Sequence, residues 1–254
     1  MTRLKGKVAV ITGGGSGIGR AIALAFGREE ALVAVVGRRR AALDRVVSEL
    51  GQADYRALAV TCDITQEKQS KAAIEGVERE FGPVNVLVNN AGILSVSTIE
   101  TVSEGEWDEV MATNLKGPFL MSRAVLPSMR RKGGGSIVNI GSVLGLVAMK
   151  QRAAYCSSKG GVTLLTKAMA LDHAHEKIRV NCICPSIVET ELVKGLFSDS
   201  EQGQQDREAR VGTLPLGRFG KPGDIAELAV FLASDESSWI TGTAIPADGG
   251  LTAY

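Results

Sequence analysis

Tyr155 and Lys159 stand four residues apart in the stretch "AAYCSSKGG", residues 153–161. On a helix that spacing brings both side chains out of one face, a phenol beside an ammonium. A tyrosine with its ordinary pKa of about 10 is a poor base at neutral pH, and a neighbouring cation favours the phenolate and lowers that value. Ser142, thirteen residues earlier, can donate a hydrogen bond to an oxygen on which charge develops. The pair alone does not decide between a surface accident and a reaction that needs an acidic tyrosine. The rest of the chain has to supply a cofactor site, a route to it and a reason for burial.

The chain reads as short β-branched runs separated by longer stretches of helical periodicity. Strands are expected at Val8–Thr12, Leu32–Gly37, Ala57–Asp63, Val84–Asn89, Ser136–Ile140, Val180–Ile183 and Ala244–Ala247. Helices are expected near 17–28, 39–50, 66–81, 103–131, 153–175 and 224–234. Several strand runs are apolar throughout, as expected of strands covered on both faces. Strict alternation predicts an α/β fold: a doubly wound parallel sheet of about seven strands, helices on both faces, in a single domain over 1–254. Ligands of such a sheet bind beyond the carboxyl ends of the strands, where the strand order reverses.

The first strand ends in "TGGGSGIG", Thr12 to Gly19, ahead of the helical "RAIALAF". Gly13, Gly17 and Gly19 allow a sharp turn, a close approach to a pyrophosphate and tight packing of the helix on the sheet. The helix N-terminus then offers free N–H groups to phosphates. At the end of the second strand, where an NAD site usually carries an acidic residue, stands Gly37, followed by Arg38, Arg39 and Arg40. A guanidinium suits a 2′-phosphate, so Arg38 makes NADP(H) the preferred cofactor, with NAD(H) possible. Arg39 and Arg40 are expected only to open a solvated helix.

Taken together, the glycine loop and the Tyr155/Lys159 spacing resemble the short-chain dehydrogenase/reductase family, classical type, and the likeness runs from about Lys5 to Gly250. The resemblance implies a Rossmann-like fold and a cofactor loop in which Ser16 and Ile18 join the glycines. It implies that Asp63 of "CDIT" hydrogen-bonds the adenine. Asn90, Ala91 and Gly92 of "NNAG" would lie against the cofactor, with Pro185, Ile187 and Thr190 of "CPSIVET" near the nicotinamide. The implied catalytic group is Asn114, Ser142, Tyr155 and Lys159, the last two also touching the cofactor. Ser186 departs from the family, which usually has glycine there; its hydroxyl could narrow the pocket or bind substrate.

Asn114 lies on the stripe of Trp107, Val110 and Met111, the inward side of its helix, where an amide needs partners. Pro118, four residues on, lacks the N–H that would bond the Asn114 carbonyl. That carbonyl could hold a water leading to Lys159, the relay the resemblance implies; the alternative is a core asparagine satisfied by its neighbours. On the relay reading, Asn114→Ala lowers turnover far more than stability.

Composition narrows the partners. Lys plus Arg number 29 against 28 Asp plus Glu, which offers no electrostatic case for nucleic acid or an anionic membrane. Apolar runs are of strand length, "MTRLKGK" is no signal peptide, and the four cysteines form no metal motif; the expectation is a cytoplasmic, metal-free protein. Cys182 and Cys184 share one side of a strand without suggesting a redox pair. His173 and His175 are read as local partners of a helix end. Leu94, Val96, Leu144, Val147, Met149, Leu192, Leu196 and Phe197 are expected to form a largely apolar pocket for a small-molecule secondary alcohol or ketone, without a visible charged anchor. The polar stretch 198–212 is expected to belong to a lid spanning about 191–216. By resemblance, the C-terminal "WITGTAIPADGG" and the helix before it favour a homotetramer.

The leading function is thus an NADP(H)-dependent oxidoreductase with Tyr155 as general acid/base. A 3-oxoacyl carrier-protein reductase would need a usable basic surface near Arg130. A nucleotide sensor would show a broken catalytic group, and a lyase or dehalogenase on this scaffold would lack the glycine loop.

Overall fold

The computed structural model describes residues 2–194, 197 and 200–253, with the backbone alone for Leu192 and Lys194. Seven strands form one parallel sheet: β1 (Val8–Thr12), β2 (Leu32–Gly37), β3 (Ala57–Thr61), β4 (Val86–Asn89), β5 (Gly135–Ile140), β6 (Ile178–Pro185) and β7 (Ala244–Ala247). Their order is β3-β2-β1-β4-β5-β6-β7. The chain winds outward from β1 and then returns to its other side, so the order reverses between β1 and β4. Val10 pairs with Ala34 of β2 on one side and Leu87 of β4 on the other.

Successive residues of each strand enter opposite layers, which explains the uninterrupted apolar runs. Ala9, Ile11, Val33 and Val35 pack beneath α1 (Gly17–Arg28), α2 (Arg40–Gln52) and α9 (Pro222–Ala233), through Phe26, Leu50 and Val230. Val8, Val10, Ala34 and Val36 pack beneath α3 (Glu67–Phe81), α5 (Gly117–Lys132) and α6 (Ala153–His173), through Val77, Met121 and Met169. Each large side chain buried in these layers contributes about 1.5–3 kcal/mol of transfer free energy.

The stretch 103–131, read above as one helix, is two helices. α4 (Glu104–Met111) runs into a π-helical turn at Ala112–Lys116, and α5 begins at Gly117. Gly117 N–H bonds the carbonyl of Ala112, five residues back. Pro118 supplies the reason: without its N–H the ordinary ladder cannot pass Asn114, and the backbone widens there. Beyond β6 lie α7 (Glu191–Lys194) and α8 (Glu201–Gly212), so the polar stretch read as part of a lid is largely helical. Ser200 caps α8, accepting the Gly203 N–H at 3.2 Å.

Candidate active site

The carboxyl ends of β1, β2, β4, β5 and β6 open into one cleft of about 740 Å³. Its floor is the β1–α1 loop. Gly13 has φ +64°, and a Cβ on Gly19 would stand 2.3 Å from the Gly13 carbonyl oxygen, so neither position takes a side chain without displacing the loop. Asn90, after β4, pins this turn: its Nδ2 donates to the carbonyls of Thr12 at 3.0 Å and Gly13 at 3.3 Å. Thr12 Oγ1 in return accepts the N–H groups of Asn90 and Ala91. Ser16, the N-cap of α1, makes no side-chain cap bond, leaving the first N–H groups of the helix without that acceptor where Gly17 and Ile18 line the cleft. Thr190 closes over Gly17, its Cγ2 at 3.2 Å from where a Cβ would be, and Pro185 and Ile187 line the same wall.

Arg38 and Arg39 both line the cleft beyond β2. Arg39 Nη2 reaches Ser16 Oγ at 3.4 Å, which corrects the expectation that this arginine only opens a solvated helix. Its signal was the run of three arginines; only the third, Arg40, turns away, to Asp44 at 2.8 Å. Asp63 lies beside them, with Oδ1 accepting the N–H and hydroxyl of Thr65 at 3.0 and 2.8 Å.

Ser142, Tyr155 and Lys159 meet at the other end. Ser142 caps the 3-10 turn Val143–Gly145, accepting the Leu144 N–H at 3.1 Å, and its hydroxyl reaches the Pro185 carbonyl at 3.5 Å. It also hydrogen-bonds Tyr155, which lowers the phenol's pKa, but burial outweighs that and the net direction is upward. Lys159 does not offset it. Its Nζ lies 5.7 Å from the centroid of the Tyr155 ring and donates to the Ile140 carbonyl at 2.8 Å. Burial brings the ammonium itself down to about 8. Among the protein's own groups, desolvation of both residues thus outweighs the lowering expected from a cation beside Tyr155.

Asn114 stands behind this wall and is fully buried. Its Oδ1 accepts the Ile93 N–H at 2.8 Å, while Nδ2 donates to the Ile93 carbonyl at 2.9 Å and Ser158 Oγ at 3.1 Å. The amide thus clamps the loop after β4 to α6. A Cβ on Gly92 would come 3.3 Å from Asn114 Oδ1 and 3.6 Å from Lys159 Nζ, so only a residue without a side chain fits between them easily.

Cys182 and Cys184 lie buried under Gly141 with their sulfurs 3.8 Å apart, and burial together with Cys184 pushes the Cys182 thiol up. Cys184 is instead lowered, chiefly by its hydrogen bond with Cys182, and the charge of both cysteines works against the lowering of Lys159. His173 and His175 flank Glu176 at the end of α6, at 3.5 and 3.6 Å, in the local role expected. Ser186 Oγ donates to the Asp248 carbonyl at 3.0 Å; it ties the loop after β6 to the C-terminal segment.

Of the expected apolar wall, Leu94, Leu144, Met149 and Phe197 line the cleft, whereas Val96 and Val147 are exposed outside it. Leu192, whose backbone alone is described, and Leu196 fall outside the described side chains. Two charged residues join that wall, Arg152 at the start of α6 and Arg210 on α8, so it is not apolar throughout. Sequence could not place them, because they come from segments 58 positions apart that only the fold brings together.

A family model described as short chain dehydrogenase matches residues 7–201. The chain belongs to the short-chain dehydrogenase/reductase family, whose members are oxidoreductases that use NAD(P)(H). It is 40% identical over 251 residues to 2-(S)-hydroxypropyl-CoM dehydrogenase 3 of Xanthobacter autotrophicus, covering 99% of this chain and 98% of that one. It is also 40% identical over 249 residues to the 3-oxoacyl-[acyl-carrier-protein] reductase FabG of Thermotoga maritima, covering 98% and 99%. A crystal structure of levodione reductase superposes with a TM-score of 0.95 at 32% identity, over 99% of both chains.

Proposed function

We infer that the protein interconverts a secondary alcohol and a ketone with NADP(H), Tyr155 serving as general acid/base. One observation carries this reading: a single cleft holds the tight glycine loop and two guanidiniums at one end and Ser142, Tyr155 and Lys159 at the other. The loop without side chains and the uncapped start of α1 fit a pyrophosphate. Arg38 and Arg39, neither in an ion pair among the described residues, fit a 2′-phosphate. Bound there, the reduced nicotinamide supplies the hydride.

In the reducing direction Ser142 orients the carbonyl oxygen toward Tyr155. The carbonyl carbon takes the hydride as its oxygen takes the phenolic proton, giving the alcohol and a phenolate. Lys159, as an ammonium, stabilises that phenolate, and solvent reprotonates it. The amide of Asn114 holds the Ile93 loop while its main-chain carbonyl is the group read as leading water toward Lys159. The segment 191–216 acts as a lid over substrate.

Against the carrier-protein reading stands the basic run at 130–132: Arg130 pairs with Glu176 at 2.8 Å and Arg131 with Glu78, leaving little free charge for an acidic partner. The protein acts in the cytoplasm as a homotetramer, with Trp239, 99% exposed beside β7, and the exposed Leu164 and Leu171 of α6 supplying apolar surface for contacts between copies.

Titration with NADPH and NADH, followed by ketones and secondary alcohols monitored through the absorbance of the reduced nicotinamide, tests the reading. NADPH is expected to bind at least about tenfold more tightly than NADH, with Arg38→Asp reversing the order. Tight cofactor binding with no turnover of any alcohol or ketone would instead make the protein a sensor.

A further inference from the structure

Arg152 and Arg210 face the substrate end of the cleft from two separate elements. Arg152 immediately precedes α6, three residues before Tyr155, and its Nη1 donates to the Gln151 carbonyl at 2.7 Å. Arg210, on the last turn of α8, reaches Met149 Sδ at 3.8 Å with its Nη2. Both are half-buried. Among the described residues no carboxylate lies within ion-pair distance of either, although neighbouring arginines are paired: Arg207 with Glu189 at 2.6 Å and Arg218 with Asp224 at 2.6 Å.

Two like charges brought together in a partly apolar wall are unfavourable unless something of opposite sign joins them. Burial and the charge of Arg210 both press on Arg152, lowering its pKa. The backbone before Arg152 is also unusual. Gln151 has φ +58°, in the left-handed region; Glu30, Asp54 and Lys177, the other residues there apart from glycine, each follow a helix, whereas Gln151 precedes one. The turn it makes delivers Arg152 to the cleft.

We propose that Arg152 and Arg210 anchor an oxyanion head group, a carboxylate or a sulfonate, on the ketone or alcohol that Tyr155 and Ser142 act upon. This rests on the oxidoreductase reading and narrows its substrate class to short compounds with an anionic terminus beyond the reacting carbon. The guanidiniums supply planar donor forks for the oxyanion, and the aliphatic walls at Leu144 and Met149 cover the chain between head group and carbonyl. The cleft thus has two cationic ends, Arg38 with Arg39 for the cofactor and Arg152 with Arg210 for the substrate.

The test compares methyl ketones of matched length ending in a methyl, a carboxylate or a sulfonate. For the wild type, kcat/KM is expected to favour an anionic ketone over the neutral one by at least about 30-fold, since a site built for a charged group penalises its absence. That ratio should fall to about one in the Arg152→Met/Arg210→Met double variant and be partly kept in Arg210→Lys. The carboxylate and sulfonate arms show which oxyanion is preferred. Calorimetric titration of the anionic alcohols into the protein loaded with NADP(H) gives a readout independent of turnover. Binding that requires both arginines, with no turnover, upholds the anchor and overturns the oxidoreductase reading. Turnover of neutral ketones with no preference for anionic ones, and no binding of the anionic alcohols, overturns the anchor alone. NADPH affinity of the variants reports that their fold is intact.

Discussion

Lys159 is a buried ammonium with its pKa at about 8, and Tyr155 is a phenol pushed upward, so the sign of their pH effects follows. On the proposed mechanism, ketone reduction needs Tyr155 protonated and Lys159 charged. Its kcat/KM is therefore expected to be level below about pH 8 and to fall above it, as Lys159 loses its proton well before the tyrosine does. Lys159→Met should abolish that break as well as lower the rate; an unchanged profile would remove Lys159 from the acid–base group. Tyr155→Phe keeps the ring and its packing but removes the proton donor. Turnover should fall by about 10³-fold or more with NADPH affinity within a few fold of wild type, measured by stopped-flow and fluorescence titration.

At the scale of elements, the π-helical turn and the β1–α1 loop set the geometry. The turn at Ala112–Lys116 rotates Asn114 into the protein, where its three side-chain bonds join the β4 loop to α6. Asn114→Ala then strands the Ile93 N–H and carbonyl, at a cost of about 1–3 kcal/mol, visible as a lower Tm. The relay expectation of a loss far greater in turnover than in stability is sharpened accordingly: both Tm and kcat fall, and a variant with normal Tm and low kcat would isolate the main-chain role. In the glycine loop, Gly19→Ala would press a Cβ into the Gly13 carbonyl and the Asn90 amide. NADPH affinity should drop by more than about tenfold, because the loop must open where the pyrophosphate approaches.

Over the whole molecule, the exposed apolar side chains include Leu164 and Leu171 along α6 and Trp239 in the segment leading to the edge strand β7. The proposed tetramer, if dihedral, would use two such patches as self-complementary faces. Replacing Leu164 and Leu171 by glutamate is expected to convert tetramers into dimers in sedimentation velocity while leaving the secondary structure intact; monomers for the wild type would refute the assembly.

Much of this was legible in the residues themselves. Apolar strand runs alternating with amphipathic helices determined the doubly wound sheet, because a strand covered on both faces leaves no polar positions. The spaced glycines, "NNAG" and the Tyr155/Lys159 interval marked the cleft, because local turn geometry and helical period constrain residues close in sequence. Tertiary structure alone decided three things. Desolvation, which depends on every neighbour, moved Tyr155 up and Lys159 down rather than letting one correct the other. Packing decided which partners the buried Asn114 amide takes, the Ile93 backbone of the β4 loop and Ser158 of α6. That Arg152 and Arg210 line one cleft came from the approach of α8 to the segment before α6, where Arg210 reaches Met149, a long-range placement that carries no periodic signature in the chain.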